Sequence, residues 1–223
     1  MRYSVLFDFD GVLVDDEPIH FLAAKNALFE FGFELTKEDY YGPLFGLSDL
    51  LLFREFLSNR KIDDSELLVK LMIRKSQHYV ELVAKSDILF AGVSELISAL
   101  KSRAVLGIVS SALSSEVSLI LKRYNLFDSF SFIISGNDAL EHKPSPEPYV
   151  KAIAKLRELW QEFDISRIVA IEDSAAGIRA AKSAGIKSIG LAHYLPPSEL
   201  AEADFVANKI GELSLEVIER VAL

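Results

Sequence analysis

Short runs rich in β-branched and aromatic residues, at 4–9, 106–110, 132–135, 168–172 and 188–191, alternate with amphipathic stretches at 93–101, 115–124, 146–159 and 175–184. Strands separated by helices of this length are joined in parallel, because the helix carries the chain back across the sheet. The pattern predicts an α/β fold with a Rossmann-like parallel sheet covered by helices on both faces. Gly185 follows the last helical stretch as a natural C-terminal cap, and the Pro196-Pro197 pair marks a loop leading to a final sheet-edge segment near Phe205.

One segment breaks the alternation. From 16 to 90 the apolar residues recur at helical spacing and no strand pattern occurs, with helices expected at 19–31, 50–57 and 65–83. A strand-free insert directly after the first strand predicts a small helical domain, 16–90, carried by a core domain of 1–15 and 91–223. The hinges are expected near 14–17 and 89–92.

With 223 residues, half of them apolar, the chain can bury a full core. A net charge of −9 argues against an electrostatic grip on nucleic acid or anionic membrane, both of which need clustered Lys and Arg. An anionic substrate would therefore need a local cation. The absence of cysteine removes disulfides, thiolate metal sites and cysteine nucleophiles. Asp8 and Asp10 interrupt the first apolar run too early for a signal peptide, and no stretch reaches the roughly 18 uncharged apolar residues of a membrane span. The expectation is a cytoplasmic monomer with neither nucleic-acid nor membrane partners.

The polar residues of interest sit at or just past the C-terminal ends of the expected strands, where open parallel sheets place their ligands. Asp8 and Asp10 end the first, Ser110 and Ser111 the second, Lys143 lies in the loop after the third, and Glu172-Asp173 close the fourth. Four carboxylates in one crevice repel one another, and a divalent cation resolves the repulsion. Hard oxygen ligands suit Mg²⁺, which also shares its shell readily with phosphate oxygens. A carboxylate left facing the substrate can attack phosphorus, which splits a slow hydrolysis into two faster steps. Asp8 is the candidate nucleophile and Asp10 the candidate acid and base. Lys143 and a serine hydroxyl would hold the phosphoryl oxygens, and Gly11 would let the chain turn and expose amides toward the phosphate.

Four stretches, FDFDGVLVDDEPIH at 7–20, IVSSA at 108–112, KPSPEPY at 143–149 and IEDSAAGIRAAKSAG at 171–185, together resemble the haloacid-dehalogenase-like hydrolases. Within that family the likeness is to the helical-cap subgroup that contains β-phosphoglucomutase and the small-metabolite phosphatases. The resemblance spans nearly the whole chain. It implies a Mg²⁺-dependent phosphatase of a small phosphorylated metabolite, with Asp8 as nucleophile and Asp10 as acid/base and backbone-carbonyl metal ligand. It further implies Asp173, helped by Glu172, on Mg²⁺, and Ser110 with Lys143 on the phosphate. The 16–90 insert becomes a cap that selects the substrate, with His20 at a place that often carries His in relatives.

Mutase-like members place an Arg after a Gly-x-Ser stretch in the cap to grip a second phosphate. Here Gly46-Leu47-Ser48 is followed by Asp49, whose charge would repel a distal phosphate and favours hydrolysis over transfer. Arg54, Arg74 or Lys75 are the cations that could substitute in a mutase. A phospho-accepting receiver module also uses Asp, Ser and Lys around Mg²⁺, but carries its acceptor on a middle strand and has no cap. Trp160, Phe29, Phe31 and Phe33 are expected to serve packing, and His78, His142 and His193 to be surface or structural residues.

Overall fold

A computed structural model describes residues 3–45, 47–159 and 163–223; the Trp160 packing expectation and Gly46 of the Gly-x-Ser stretch lie outside them. The chain divides into two compact units, one comprising residues up to Asp15 together with Leu89–Leu223, the other Asp16–Ile88.

The first unit is built on six parallel strands: β1 (Tyr3–Phe7), β2 (Ala104–Val109), β3 (Phe132–Ile134), β4 (Ile168–Glu172), β5 (Lys187–Leu191) and β6 (Phe205–Ala207). They are arranged in the order β3-β2-β1-β4-β5-β6. The chain steps outward from β1 through β2 to β3, then returns to β4 on the other side of β1. That reversal makes the C-terminal ends of β1 and β4 the switch point, where a crevice opens in a doubly wound sheet.

Both central strands are buried on both faces, which explains why they read as unbroken apolar runs rather than alternating ones. Around the sheet lie α5 (Val93–Leu100), α6 (Ser114–Arg123), α7 (Glu147–Leu159), α8 (Ala175–Ser183) and α9 (Leu215–Ala222). Tyr149, Ala152, Ile153 and Leu156 of α7 and Ala180 and Ala181 of α8 form one core with Leu6, Ile168 and Ala170 of the sheet. The expected α/β architecture is thus observed, and α9 is an additional helix.

The described residues of the second unit form four helices joined by loops: α1 (Glu17–Glu30), α2 (Lys37–Tyr41), α3 (Asp49–Ser58) and α4 (Ser65–Val83). Pro18 sits in the first turn of α1, where its missing N–H costs nothing. Thr36 and Asp39 cap α2 reciprocally, and Asp64 accepts from the Leu67 amide at the start of α4. Phe21, Leu28, Leu52, Phe53, Phe56 and Leu71 form its core, with Phe31 and Phe33 packed partly buried against it. Phe29 corrects the packing expectation: it is 76% exposed, on the outward stripe of α1 with Leu22 and Lys25. No described helix is long and apolar enough to cross a membrane.

Candidate active site

Past the end of β1, the amide of Asp8 still donates to the Ile171 carbonyl of β4, at 2.9 Å, so the strand holds this residue's backbone in place. The chain then turns tightly, with the amides of Leu13 and Val14 reaching back to the Phe9 carbonyl. Phe9 is fully buried and anchors the turn, while Asp10 is half-buried within it.

Gly11 adopts φ +74°, a conformation that side chains disfavour. A Cβ on it would also lie 2.0 Å from Oδ2 of Asp173, so glycine is required by contact as well as by conformation. The Gly11 amide itself donates to the Val14 carbonyl at 2.9 Å. Its contribution is the turn and the room it leaves for Asp173.

Lys143 is the centre of the site. Its Nζ donates to the Val109 carbonyl at 2.8 Å, to Asp8 Oδ1 at 2.9 Å and to Glu172 Oε1 at 2.6 Å, which uses all three ammonium protons. Its side chain is only 7% exposed, and that of Asp8 13%. Burial opposes the ammonium, but the carboxylates of Asp8 and Glu172 more than offset it and raise the Lys143 pKa. The loop that delivers this lysine is tied down by Glu147, which accepts from the amides of Leu140 and Glu141 and pairs with Lys151.

Glu172 ends β4 with no exposed surface, and Asp173 follows it. Burial, then the charge of Asp8, pushes the Glu172 carboxyl up to about 7 against the pull of Lys143. Burial and the charges of Asp8 and Glu172 push Asp173 well above the ordinary carboxylate range. Oxygens of Asp8, Glu172 and Asp173 lie within 4.8 Å of one another. Three carboxylates around one lysine leave an excess of negative charge in a poorly solvated place, and a hard divalent cation would relieve it. The donor set fits Mg²⁺. The Asp10 carboxylate is not part of this triad, so the resemblance leaves that residue its backbone carbonyl as a ligand.

Ser110 is buried at the end of β2, its amide bonded to the Ile134 carbonyl and its Oγ accepting from the Ala112 amide. Ser111 is exposed beside it. The sheet therefore gathers Asp8, Lys143, Glu172 and Asp173 into one contact network, and puts Ser110 and Ser111 at the neighbouring strand end.

His20 belongs to the helical unit and to a different network. Its Nδ1 lies 2.7 Å from Lys75 Nζ, and because an ammonium only donates, the ring proton sits on Nε2, 3.2 Å from Asp16. Tyr79 donates to Asp16 and lies against the His20 ring, with centroids 4.5 Å apart. Lys75 pairs with Asp49 at 2.8 Å. Asp49 is therefore a compensated charge rather than the free repelling one expected from its position. Arg74 is held by Glu30 and Gln77.

Two contributors escaped the reading of the sequence. Tyr149 donates to Glu172 Oε1 at 2.5 Å, and Val109 offers a main-chain carbonyl to Lys143. Tyr149 falls within the KPSPEPY stretch, but its helical spacing with Ala152, Ile153 and Leu156 marks it only as core. The Val109 carbonyl has no side-chain signal at all.

A family model described as haloacid dehalogenase-like hydrolase matches residues 5–191. A phosphorylated carbohydrates phosphatase of Thermotoga maritima is 30% identical over 98% of this chain and 99% of its own length. A β-phosphoglucomutase of Bacillus subtilis is 30% identical over 96% of this chain and 93% of its own. Among solved structures, CbbY from Rhodobacter sphaeroides in complex with phosphate superposes with a TM-score of 0.85 at 29% identity, covering 98% of this chain and 99% of that one.

Proposed function

The chain belongs to the haloacid dehalogenase-like hydrolases, an enzyme of the phosphatase or phosphomutase type, and from that premise we propose that it is a Mg²⁺-dependent phosphatase of a small phosphorylated metabolite. The observation that carries the reading is Asp8, fixed at the switch point with one carboxylate oxygen on Lys143 and two further carboxylates beside it.

Asp8 attacks phosphorus as a carboxylate, forming an aspartyl phosphate as the bond to the leaving oxygen breaks. Asp10 protonates that oxygen and then takes a proton from the water that attacks the aspartyl phosphate, so phosphate leaves and Asp8 is regenerated. Lys143, anchored by Val109 and Glu172, holds the Asp8 carboxylate in one orientation and presents its charge where negative charge builds. Asp8, Asp173 and the Asp10 carbonyl would hold Mg²⁺, with Glu172 supporting from beside Lys143. The bound ion supplies charge neutralisation for the approaching phosphoryl oxygens. Ser110 and Ser111 take part in holding the phosphate, while His20 acts within the helical unit as part of a substrate-selecting cap.

Hydrolysis is preferred over mutase transfer because two of the three candidate cations of the helical unit are already compensated, Lys75 by Asp49 and Arg74 by Glu30, while Arg54 is exposed on α3. The relatives' names favour phosphorylated carbohydrates as the first substrates to try. Phosphate release from a panel of such esters, with Mg²⁺ and with a chelator, tests the reading. Asp8→Asn is expected to reduce turnover by at least about a thousandfold, the scale seen on removal of a nucleophile. Turnover that ignores the chelator, or survives the substitution, would overturn it.

A further inference from the structure

Tyr149 has a chemical role that neither its burial nor its place on α7 announces. Its hydroxyl donates to Glu172 Oε1 at 2.5 Å, the same oxygen that receives Lys143 Nζ at 2.6 Å. The face of its ring lies 5.5 Å from that ammonium. The ring is fully buried and packed in the sheet core.

The rest of the Glu172 carboxylate is confined as well. A Cβ on Gly177 would fall 1.9 Å from Oε2 and 2.3 Å from Oε1, so the first turn of α8 closes against both oxygens. Ser174 Oγ lies 3.5 Å from Oε2, at the limit of a hydrogen bond. Packing thus confines the whole carboxylate, and Oε1 is in addition held by two strong donors, one neutral and one charged. Remove the neutral one and Lys143 is left as the principal donor, free to draw the carboxylate toward itself and to shift from its third partner, Asp8.

We propose that Tyr149 is a positioning residue of the active site: its hydroxyl fixes Glu172 Oε1 so that Lys143 points at Asp8 rather than collapsing onto Glu172. The proposal rests on the functional reading above, in which Lys143 orients the attacking carboxylate. A group that acts at one remove from the reacting atoms changes how well the site fits the transition state more than how well it binds a ground state.

Tyr149→Phe keeps the ring and removes only the hydroxyl. In Mg²⁺ buffer, kcat is expected to fall roughly tenfold, the lower end for loss of an outer partner of a charged site, with KM changed less than about twofold. Calorimetric titration gives a second readout without turnover. Orthovanadate, which adopts the five-coordinate geometry of the transfer, should bind about tenfold more weakly to the variant, while inorganic phosphate should change less than about twofold.

An unchanged kcat, or equal weakening of vanadate and phosphate, would overturn the proposal. So would a variant that is unfolded at the assay temperature, since the hydroxyl would then serve stability alone. If the wild-type enzyme releases phosphate from no ester, the functional reading falls and takes this proposal with it. If the wild type turns over and Tyr149→Phe matches it, only the role of Tyr149 falls.

Discussion

Each unit of the molecule buries one lysine, and the two lysines are used in opposite ways. In the sheet unit, Lys143 faces Asp8 and Glu172 with Asp173 close by, so carboxylates outnumber the cation. In the helical unit, Lys75 is 1% exposed and stands between Asp49 and the acceptor nitrogen of His20, whose other nitrogen faces Asp16. In that second chain of contacts Lys75 pairs with Asp49, while Asp16 accepts from His20 and Tyr79. Carboxylates crowded within reach of one another around a single ammonium invite a cation. A one-to-one pair such as Lys75 with Asp49, beside an aspartate that accepts from neutral donors, serves to join helices, here α1, α3 and α4.

The contrast can be broken by experiment. The largest effect is expected from Asp49→Ala, which leaves the Lys75 ammonium buried without its carboxylate and should cost about 3 kcal/mol in denaturant unfolding. Adding Lys75→Met should recover most of that loss, because it removes the buried ammonium that Asp49→Ala leaves without a carboxylate. If the single substitution costs nothing, the helical network is not a closed structural pair.

A somewhat smaller effect sharpens the other side. Mg²⁺ at a hundredfold its dissociation constant should stabilise the wild-type chain by about 2.7 kcal/mol. The gain should vanish in Asp173→Asn and persist in Asp49→Asn, measured as thermal midpoints with and without the ion. Equal gains in all three proteins would remove the distinction between the networks.

The smallest effect is one on which the two units should agree. Glu30 of α1, bonded to Arg74 and then His78, and Glu147 of α7, bonded to Lys151 and two amides, are each held down to about 2 from the ordinary 4.5. A carboxyl whose pKa is lowered by folding stabilises the folded state above 4.5. That contribution is lost as pH falls from there through about 2. Glu30 is exposed and Glu147 half-buried, so solvent screens both and the loss is modest. Glu30→Gln and Glu147→Gln should each flatten the decline of the thermal midpoint between pH 5 and pH 2.5, and unchanged slopes would refute the assignment.

What the sequence made legible follows from the same contrast. Asp8, Glu172 and Asp173 could be read because each closes or directly follows a buried strand, where a carboxylate that interrupts an apolar run stands out, while Lys143, in the loop after β3, was legible from its KPSPEPY stretch. Topology then brings Asp8, Lys143, Glu172 and Asp173 together without further information. Tyr149 was hidden because its ring is a core residue and only its hydroxyl faces the site. The Asp49 and Lys75 pair was hidden because the residues sit on separate helices whose packing no spacing rule reveals, and Asp49 alone looked like a free negative charge. Phe29 was misread because its stripe on α1 turns outward. α2, five residues long, is too short to show a period.

The contact between Gly11 and Asp173 bears on anyone who would redesign this enzyme. The turn after β1 and the loop after β4 cannot be diversified as separate libraries, since any side chain at position 11 evicts the carboxylate at 173 from where it stands. Variation at 173 alone is geometrically open; variation at 11 is conditional on it. A sequence search that treats the two positions as independent would spend most of its members on chains that have lost the acidic cluster before any substrate is offered.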